Sequence, residues 1–431
     1  MTVSTRQQRI AENARAHPER SFTSLAHHLD RQWLLEAWYQ VRKDGAVGVD
    51  GETAAEFEAD LMTSLERLRE GAHSGRYRAP PVRRVHIPKG DGQTTRPIGI
   101  PTLSDKVLQR AVAMILEPIY EHDFIDGSYG FRPGRSAHDA LDHLWSGLMR
   151  QRGGWVLDVD IQSFFDTLDH GQLREMLTRR VSDGVIRRLI GKWLAAGVMD
   201  GDQWHRPRQG TPQGGVISPL LANIYLHEVV DAWFEREVRP RLSADAVLVR
   251  YADNLVMGFQ SEADARRVWR VLEQRLARFG LTLHPAKTRL VHFEPPQRGG
   301  PKKSATFDFL GFTHHWGRSR RGKPVIRRKT ARDRVRRTLQ RANQWCRRYR
   351  HWPVAEQYRH LCRALRGHYA YFGITGNIRA LKRVFLQVSR IWIKWLNRRS
   401  QRTMSWAKAQ QLLARYPLPP PRIVHSATVA R

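Results

Sequence analysis

The tetrapeptide Tyr251-Ala252-Asp253-Asn254 lies between two apolar runs, Val247-Leu248-Val249 and Leu255-Val256-Met257. Two short apolar runs around a tight polar turn predict a β-hairpin, and Asp-Asn tolerates the positive φ angles of a two-residue turn. An aspartate at such a tip is either an ordinary turn residue or a metal ligand. The tetrapeptide alone does not distinguish these two interpretations.

A second acidic stretch favours the metal-ligand interpretation. Residues 155–161, with the sequence WVLDVDI, alternate with a period of two and predict a strand. One face then carries Trp155, Leu157, Val159 and Ile161, and the other carries Val156, Asp158 and Asp160. Acids at the end of an apolar strand are costly to bury unless they pair or bind a metal, the alternative being a partly exposed strand end. The two stretches together predict a two-metal Mg²⁺ site, with the acids of this strand as one half and Asp253 as the other.

Seven motifs follow one another in a fixed order along the chain. They are RPIGIP at 96–101, YGFRPGRS at 129–136, DIQSFFD at 160–166, GTPQGGVISPL at 210–220, YADN at 251–254, LHPAKT at 283–288 and FLGF at 309–312. This ordered set closely resembles the reverse transcriptases encoded by bacterial group II introns, which also act as splicing maturases. The resemblance extends from about residue 34 to the C-terminus. It implies an α+β fold, namely a right-hand polymerase with fingers, a palm built on an antiparallel sheet, and an α-helical thumb.

The resemblance assigns catalytic roles to individual positions. It implies that Asp160, Asp253 and the adjacent Ile161 form the metal site, with Asn254 beside it, and that Lys287 protonates the leaving pyrophosphate. Asp158 shares the face of Asp160 but falls outside the ligand position of the family. We therefore interpret Asp158 as a structural residue.

The same resemblance implies a dNTP site next to the metals. Lys89 and Arg96 match basic fingertip residues that bind the triphosphate. The lysine ammonium acts as a point charge, and the arginine guanidinium offers a planar pair of N–H donors to phosphate oxygens. Phe165 matches the bulky residue that excludes a 2′-hydroxyl, the alternative being an ordinary core aromatic. The remaining members of the predicted dNTP site are Ile161, Gln213 and Gly214.

Asn254 departs from the family pattern, which normally has Asp at this position. An amide oxygen still coordinates a hard cation but brings no negative charge, so metal binding should weaken. Three explanations stay open: an enzyme that works with two aspartates, a polymerase silenced but kept for RNA binding, or a deliberate substitution.

Positive charge is concentrated in the last third of the chain. The 431 residues carry a net charge of +32, and residues 296–431 alone contain 33 lysines and arginines against three acids, a net of +30. This concentration predicts a polyanionic partner. Interleaved aromatic residues argue against a disordered tail, and the lack of a long apolar run argues against a membrane partner. The candidate RNA-binding residues are Arg327, Arg328, Lys329, Arg334, Arg337, Arg341 and Arg366.

The chain is predicted to contain three regions. Residues 1–75 form a helical extension of the fingers, residues 76–327 form the fingers and palm, and residues 328–431 form a basic thumb or maturase domain with an extended tail. Within these regions, Thr53 and Glu56 predict a capping box at the start of one helix, residues 82–87 and 96–100 predict a fingertip hairpin, and the thumb is expected to contain three helices. The expected partners are structured intron RNA, an RNA template with a DNA primer, target DNA and dNTPs. Two cysteines without metal-ligand spacing and a polar N-terminus predict a cytoplasmic protein, and no His-Asn-His nuclease domain is expected. A relative recruited to antiviral defence is a further alternative.

Overall fold

The protein was analysed as a computed structural model that describes residues 2–88, 94–205, 209–211, 214–296, 305–319, 321–399 and 404–426. The fold is α+β, as predicted. The helices are α1 Val3–Ala16, α2 Arg31–Gln40, α3 Ala54–Ala59, α4 Leu61–Ser74, α5 Leu103–Asp123, α6 Ala137–Arg150, α7 Phe164–Thr167, α8 His170–Arg180, α9 Gly184–Ala195, α10 Ser218–Leu226, α11 Glu262–Arg278, α12 Arg332–Arg348, α13 Val354–Phe372, α14 Ile378–Leu396 and α15 Trp406–Arg415. The strands are β1 Val82–Pro88, β2 Thr95–Ile100, β3 Gly154–Asp160, β4 Val198–Asp200, β5 Gln203–His205, β6 Ala246–Tyr251, β7 Asn254–Phe259, β8 Arg289–Phe293, β9 Phe307–Phe309, β10 Phe312–Arg318 and β11 Pro324–Thr330.

The central sheet has the strand order β6-β7-β3-β8 and contains both acidic stretches. Strand β7 pairs antiparallel with β6 on one side and with β3 on the other. Leu255, Val256 and Met257 of the inner strand β7 are completely buried, so this strand is covered on both faces. The predicted hairpin and the predicted strand are therefore neighbours in one sheet.

The fingertip hairpin is also confirmed, but it belongs to a larger sheet than the sequence indicated. Strands β1 and β2 pair antiparallel, with Arg83 opposite Ile100 and Ile87 opposite Arg96. Strand β1 additionally pairs in parallel with β4, which pairs with β5. These two strands have only three residues each, too few for a recognisable alternation of side chains.

Local capping signals set the boundaries of the N-terminal helices. Asp30 accepts a hydrogen bond from the Trp33 backbone N–H at 2.8 Å and begins α2. Thr53 and Glu56 form the predicted capping box. The single helix expected after that box is wrong, since the chain breaks at Asp60 into α3 and α4.

The chain divides into two compact units, residues 1–147 with 154–290 and residues 148–153 with 291–431. The second unit contains the sheet β11-β10-β9 and the helices α12 to α15. Its core includes Trp392 and Trp395, whose indole N–H groups donate to Gln357 and Asn343. Three of its helices were expected, and α15 was missed. The predicted division into three regions, with boundaries at residues 75 and 327, stays a prediction.

No helix in the described part of the chain has the length and apolar character needed to cross a bilayer.

Candidate active site

The hairpin tip lies between β6 and β7. Tyr251 and Asn254 are the last paired residues, so the two-residue turn consists of Ala252 and Asp253. The positive φ angle falls on Ala252, at 56°, and Asn254 is already the first residue of β7. The expectation that Asp-Asn supplies the left-handed conformation is therefore wrong. The register of pairing moves the turn one residue towards the N-terminus.

The sheet brings the candidate catalytic residues together. Asp160, the last residue of β3, pairs with Asn254 across the sheet, and Asp253 immediately precedes Asn254. The Lys287 ammonium lies 3.2 Å and 3.3 Å from the two carboxylate oxygens of Asp160. The Asn254 amide donates to the Asp253 carboxylate at 3.4 Å. Four residues separated by up to 127 positions thus meet at one edge of the sheet.

Burial and the surrounding charges perturb the pKa of Asp253. Burial raises the pKa of Asp253, and repulsion from Asp160 raises it further. Its own backbone N–H and the positive charges of Arg96 and Lys287 oppose this shift. Two carboxylates that repel one another at a half-buried edge form a site that a divalent cation would stabilise. The charge of Arg96 on β2 thus acts on Asp253, and its predicted contact with the triphosphate stays a prediction.

A buried polar cluster supports the hairpin, and sequence reasoning missed it. The Arg250 guanidinium donates to both carboxylate oxygens of Asp231, at 2.8 Å and 2.6 Å. It also donates to Asn223 at 2.9 Å, to the Ser128 hydroxyl at 2.7 Å and to the Ala252 carbonyl at 3.1 Å. Because the last contact lies inside the turn, Arg250 fixes the residue that precedes Asp253.

The YGFRPGRS motif lies directly against the same turn. A Cβ at Gly130 would lie 2.3 Å from the Ala252 backbone nitrogen, so only glycine fits. The Asn223 amide donates to the Gly130 carbonyl at 2.7 Å, and the Tyr129 N–H donates to the Arg250 carbonyl at 2.9 Å. The sequence signal for this contact was the motif itself, whose role becomes clear only when the hairpin packs against it.

The candidate nucleotide site lies beside Phe165 in α7. A cavity of about 340 Å³ is lined by Phe165 together with residues of β1, β2 and the loop at 209–211. The Thr211 N–H donates to the Phe165 carbonyl at 2.8 Å. A Cβ at Gly214 would lie 2.5 Å from the carbonyl oxygen of Gly99, so this glycine permits close approach of the loop to the fingers. Lys89 and Gln213 lie outside the described residues, and their predicted roles stay predictions.

Asp158 is separated from the metal edge by its own ion pair. Arg289 on β8 donates to the Asp158 carboxylate at 3.2 Å. Asp158 pairs across the sheet with the buried Val256, two residues further from the hairpin tip than Asp160. This placement agrees with the structural role that we assigned to it.

The candidate RNA-binding residues occupy two elements of the second unit and one position on α13. Arg327 and Lys329 are exposed on one face of β11, whereas Arg328 faces the opposite side and is buried. Arg334 and Arg337 share the carboxylate of Asp333. The exposed members of the set are Arg327, Lys329, Arg334, Arg341 and Arg366.

No cluster of three or more histidine, cysteine, aspartate or glutamate side chains capable of holding a metal occurs among the described residues. The site therefore offers two carboxylates, from Asp160 and Asp253, and the amide of Asn254. Hard oxygen ligands of this kind suit Mg²⁺, which binds through one or two carboxylates and completes its coordination with water and substrate phosphates.

Comparison with known proteins identifies the class of the chain. Residues 87–314, just over half of the sequence, match the family described as "Reverse transcriptase (RNA-dependent DNA polymerase)". Protein YkfC of Escherichia coli is 36% identical over 329 residues, which cover 68% of this chain and 85% of YkfC. The chain therefore belongs to the reverse transcriptase family.

Further relatives specify the type within that family. The group II intron-encoded protein LtrA of Lactococcus lactis is 38% identical over 250 residues, covering 55% of this chain and 41% of LtrA. The putative COX1/OXI3 intron 1 protein of Saccharomyces cerevisiae is 28% identical over 308 residues, covering 60% of this chain and 36% of that protein. The chain is thus of the group II intron-encoded reverse transcriptase and maturase type, although it matches less than half the length of these two relatives.

Proposed function

We propose that the chain is an RNA-directed DNA polymerase that extends a DNA primer with dNTPs along an RNA template. The observation that carries this proposal is the meeting of Asp160, Asp253 and Lys287 at one edge of the central sheet. Membership of the reverse transcriptase family supports the same chemistry.

Each residue at this edge has a role in the proposed reaction. Asp160, Asp253 and Ile161 would hold Mg²⁺, which would supply activation of the primer 3′-oxygen and stabilisation of the leaving pyrophosphate. Lys287 holds the proton that the pyrophosphate accepts, and its ammonium lies on the Asp160 carboxylate. Arg96 binds the triphosphate and Phe165 excludes the ribose 2′-hydroxyl.

We propose a second role in binding structured RNA through the second unit. The net charge of +30 over residues 296–431 supports it, as does the description of LtrA as group II intron-encoded. RNA helices present phosphates and 2′-hydroxyls rather than readable base edges, so exposed arginines suit this task. In this proposal the RNA is the intron, and its binding assists splicing. The intron then inserts into target DNA by reverse splicing before it is copied.

Two buried cysteines that form no disulfide support a cytoplasmic location.

Primer extension on an RNA template with Mg²⁺ and dNTPs tests the polymerase role. The wild-type chain is expected to extend the primer, and Asp160→Asn, which removes one ligand charge, is expected to abolish extension. Activity that is undiminished in Asp160→Asn would exclude the proposed site. Replacement of dNTPs by ribonucleotides, in wild type and in Phe165→Ala, separately tests the role of Phe165.

A second candidate function is an RNA-binding maturase whose polymerase is silent. The observation that favours it is the position of Asn254, which pairs directly with Asp160 and so removes a charge from the metal edge itself. If only the Asn254→Asp variant extends the primer, while both proteins bind RNA equally, this second function is the correct one.

A further inference from the structure

A cavity of about 380 Å³ opens between α12 and α13 in the second unit, within its helical part. Arg341 and Trp345 of α12 form one wall, and His360 and His368 of α13 form the other. Its floor is aliphatic and includes side chains from α13 and α14. This volume is within the range of small-ligand sites in proteins, roughly 300–1,000 Å³. The proposed polymerase chemistry does not use it.

The cavity exists because small residues face one another across the two helices. Ala342 lies on α12 and Ala364 on α13, at positions where a larger side chain would fill the space. Ala364 is exposed and Ala342 is half-buried, so the opening lies at the protein surface. A ligand can therefore enter without local unfolding of either helix.

Two aromatic rings, one from each wall, stack on one another at the cavity. Trp345 and His360 lie parallel, with ring centroids 3.8 Å apart and an interplanar angle of 1°. Both rings are only half-buried. Flat rings of this kind are the surfaces on which unpaired nucleobases stack.

His368 supplies an unused hydrogen-bonding group in the interior. The residue is 9% exposed, and its Nε2 is buried without a partner among the described residues. Burial lowers the pKa of His368 to about 4, so the ring is neutral at pH 7 and can donate or accept one hydrogen bond at a ligand edge. A purely aliphatic occupant would leave this polar atom unsatisfied, which is costly.

Arg341 gives the rim a positive charge that the protein does not neutralise. It is exposed and forms no ion pair or hydrogen bond within the described part of the chain. A guanidinium beside an aromatic wall suits a phosphate next to a stacked base. The rim therefore favours an anionic backbone over a neutral ligand.

We infer that this cavity binds a single unpaired nucleobase extruded from an RNA partner. The base stacks on the aromatic pair of Trp345 and His360, its polar edge meets His368, and its phosphate pairs with Arg341. The inference rests on the proposed RNA-binding function and adds to it a site that recognises a bulged or looped nucleotide.

Three RNA hairpins and the full-length chain test the inference. One hairpin contains a single bulged 2-aminopurine, the second has an abasic residue at that position, and the third is fully paired. We expect the wild-type chain to bind the first about tenfold more tightly than the second, because this factor lies within the range that stacking of one base supplies. We also expect the 2-aminopurine fluorescence to be quenched on binding.

Variants that fill the cavity should remove this preference. Ala364→Leu is expected to bind all three hairpins equally, and Ala342→Leu narrows the cavity from the opposite wall. Ala370→Leu is the matched control, because Ala370 is an exposed alanine on the same helix that does not line the cavity. It should keep the tenfold preference.

The outcomes separate the cavity from the rest of the function. If the wild-type chain binds the three hairpins equally, the cavity site is overturned while RNA binding stands. The cavity site is also overturned if Ala364→Leu and Ala342→Leu both keep the preference for the bulged 2-aminopurine hairpin. Failure to bind any hairpin overturns RNA binding itself, and the cavity site with it.

Discussion

The guanidinium of Arg250 and the carboxylate of Asp231 form a bidentate ion pair in which both side chains are completely buried. Arg250 is the residue before the end of β6 in the hairpin, and Asp231 follows α10 in the chain. The cost of desolvating both charges offsets most of the Coulomb attraction between them, so a buried pair of this kind adds little net stability. Its effect is to fix the turn that carries Asp253.

Removal of one partner should therefore be far more damaging than the loss of a surface ion pair. We expect Asp231→Ala to destabilise the protein by about 3–5 kcal/mol, because it leaves the Arg250 charge buried and unpaired. Urea unfolding measures the change. Glu235→Ala, which removes the partly exposed partner of Arg239, is the control and should cost below about 1 kcal/mol. Equal effects of the two substitutions would contradict this account.

Restoring a carboxylate at position 254 should strengthen divalent metal binding. Asn254 pairs with Asp160 across the sheet, so a second charge there would lie next to the bound ions. We expect Asn254→Asp to lower the Mg²⁺ concentration for half-maximal primer extension about tenfold, equivalent to about 1.4 kcal/mol. Gln260→Glu adds the same charge just beyond the far end of β7 and should leave the Mg²⁺ dependence unchanged. A shift of similar size in Gln260→Glu would point to a general charge effect.

Lys287 should affect the chemical step and not RNA binding. Its ammonium lies on Asp160 at 3.2 Å, where it is placed to supply a proton. We expect Lys287→Met to lower kcat by roughly 10²–10⁴-fold, the usual contribution of a general acid. Arg289→Met breaks the neighbouring ion pair with Asp158 and serves as the control. A loss of RNA affinity that accounts for the whole rate defect of Lys287→Met would exclude the proton-transfer role.

Asp105 should make the stability of the protein depend on pH. Burial raises the pKa of this carboxyl from 3.8 to about 7, and Tyr77 donates a hydrogen bond to it. The folded protein thus keeps a proton that the unfolded chain releases between these two values, so stability falls as pH rises through this window. We expect Asp105→Asn to match wild type near pH 4 and to exceed it at pH 8, by up to about 4 kcal/mol.

An aspartate with the opposite shift provides the comparison for Asp105. Burial acts to raise the pKa of Asp183. Hydrogen bonds from backbone N–H groups, including those of Leu25 and Ile186, outweigh burial and hold this pKa below its ordinary value. Asp183→Asn should therefore destabilise the protein at pH 8. Urea midpoints at the two pH values measure both variants, and a gain in stability at pH 8 in both would rule out the assignment of pH dependence to Asp105.

The sequence by itself determined the fold class, the catalytic strand and hairpin, the fingertip hairpin and most helices. Period-two alternation, capping residues and ordered motifs are local signals, so they can be recognised in the sequence before the chain is folded. Asp160 and Asp253 were found because acids at the ends of apolar strands are rare. By contrast, β4 and β5 are too short to show a pattern, and the Ser405 cap of α15 passed unnoticed.

Only the tertiary structure decided how these elements meet. The strand register placed the left-handed turn residue at Ala252, and it placed Asn254 opposite Asp160. The buried pair of Arg250 with Asp231 joins residues whose individual sequence contexts are unremarkable. Such contacts depend on which faces of distant elements pack together, because burial and desolvation arise only in the folded state. For the same reason, the cavity between α12 and α13 has no counterpart in any single stretch of the sequence.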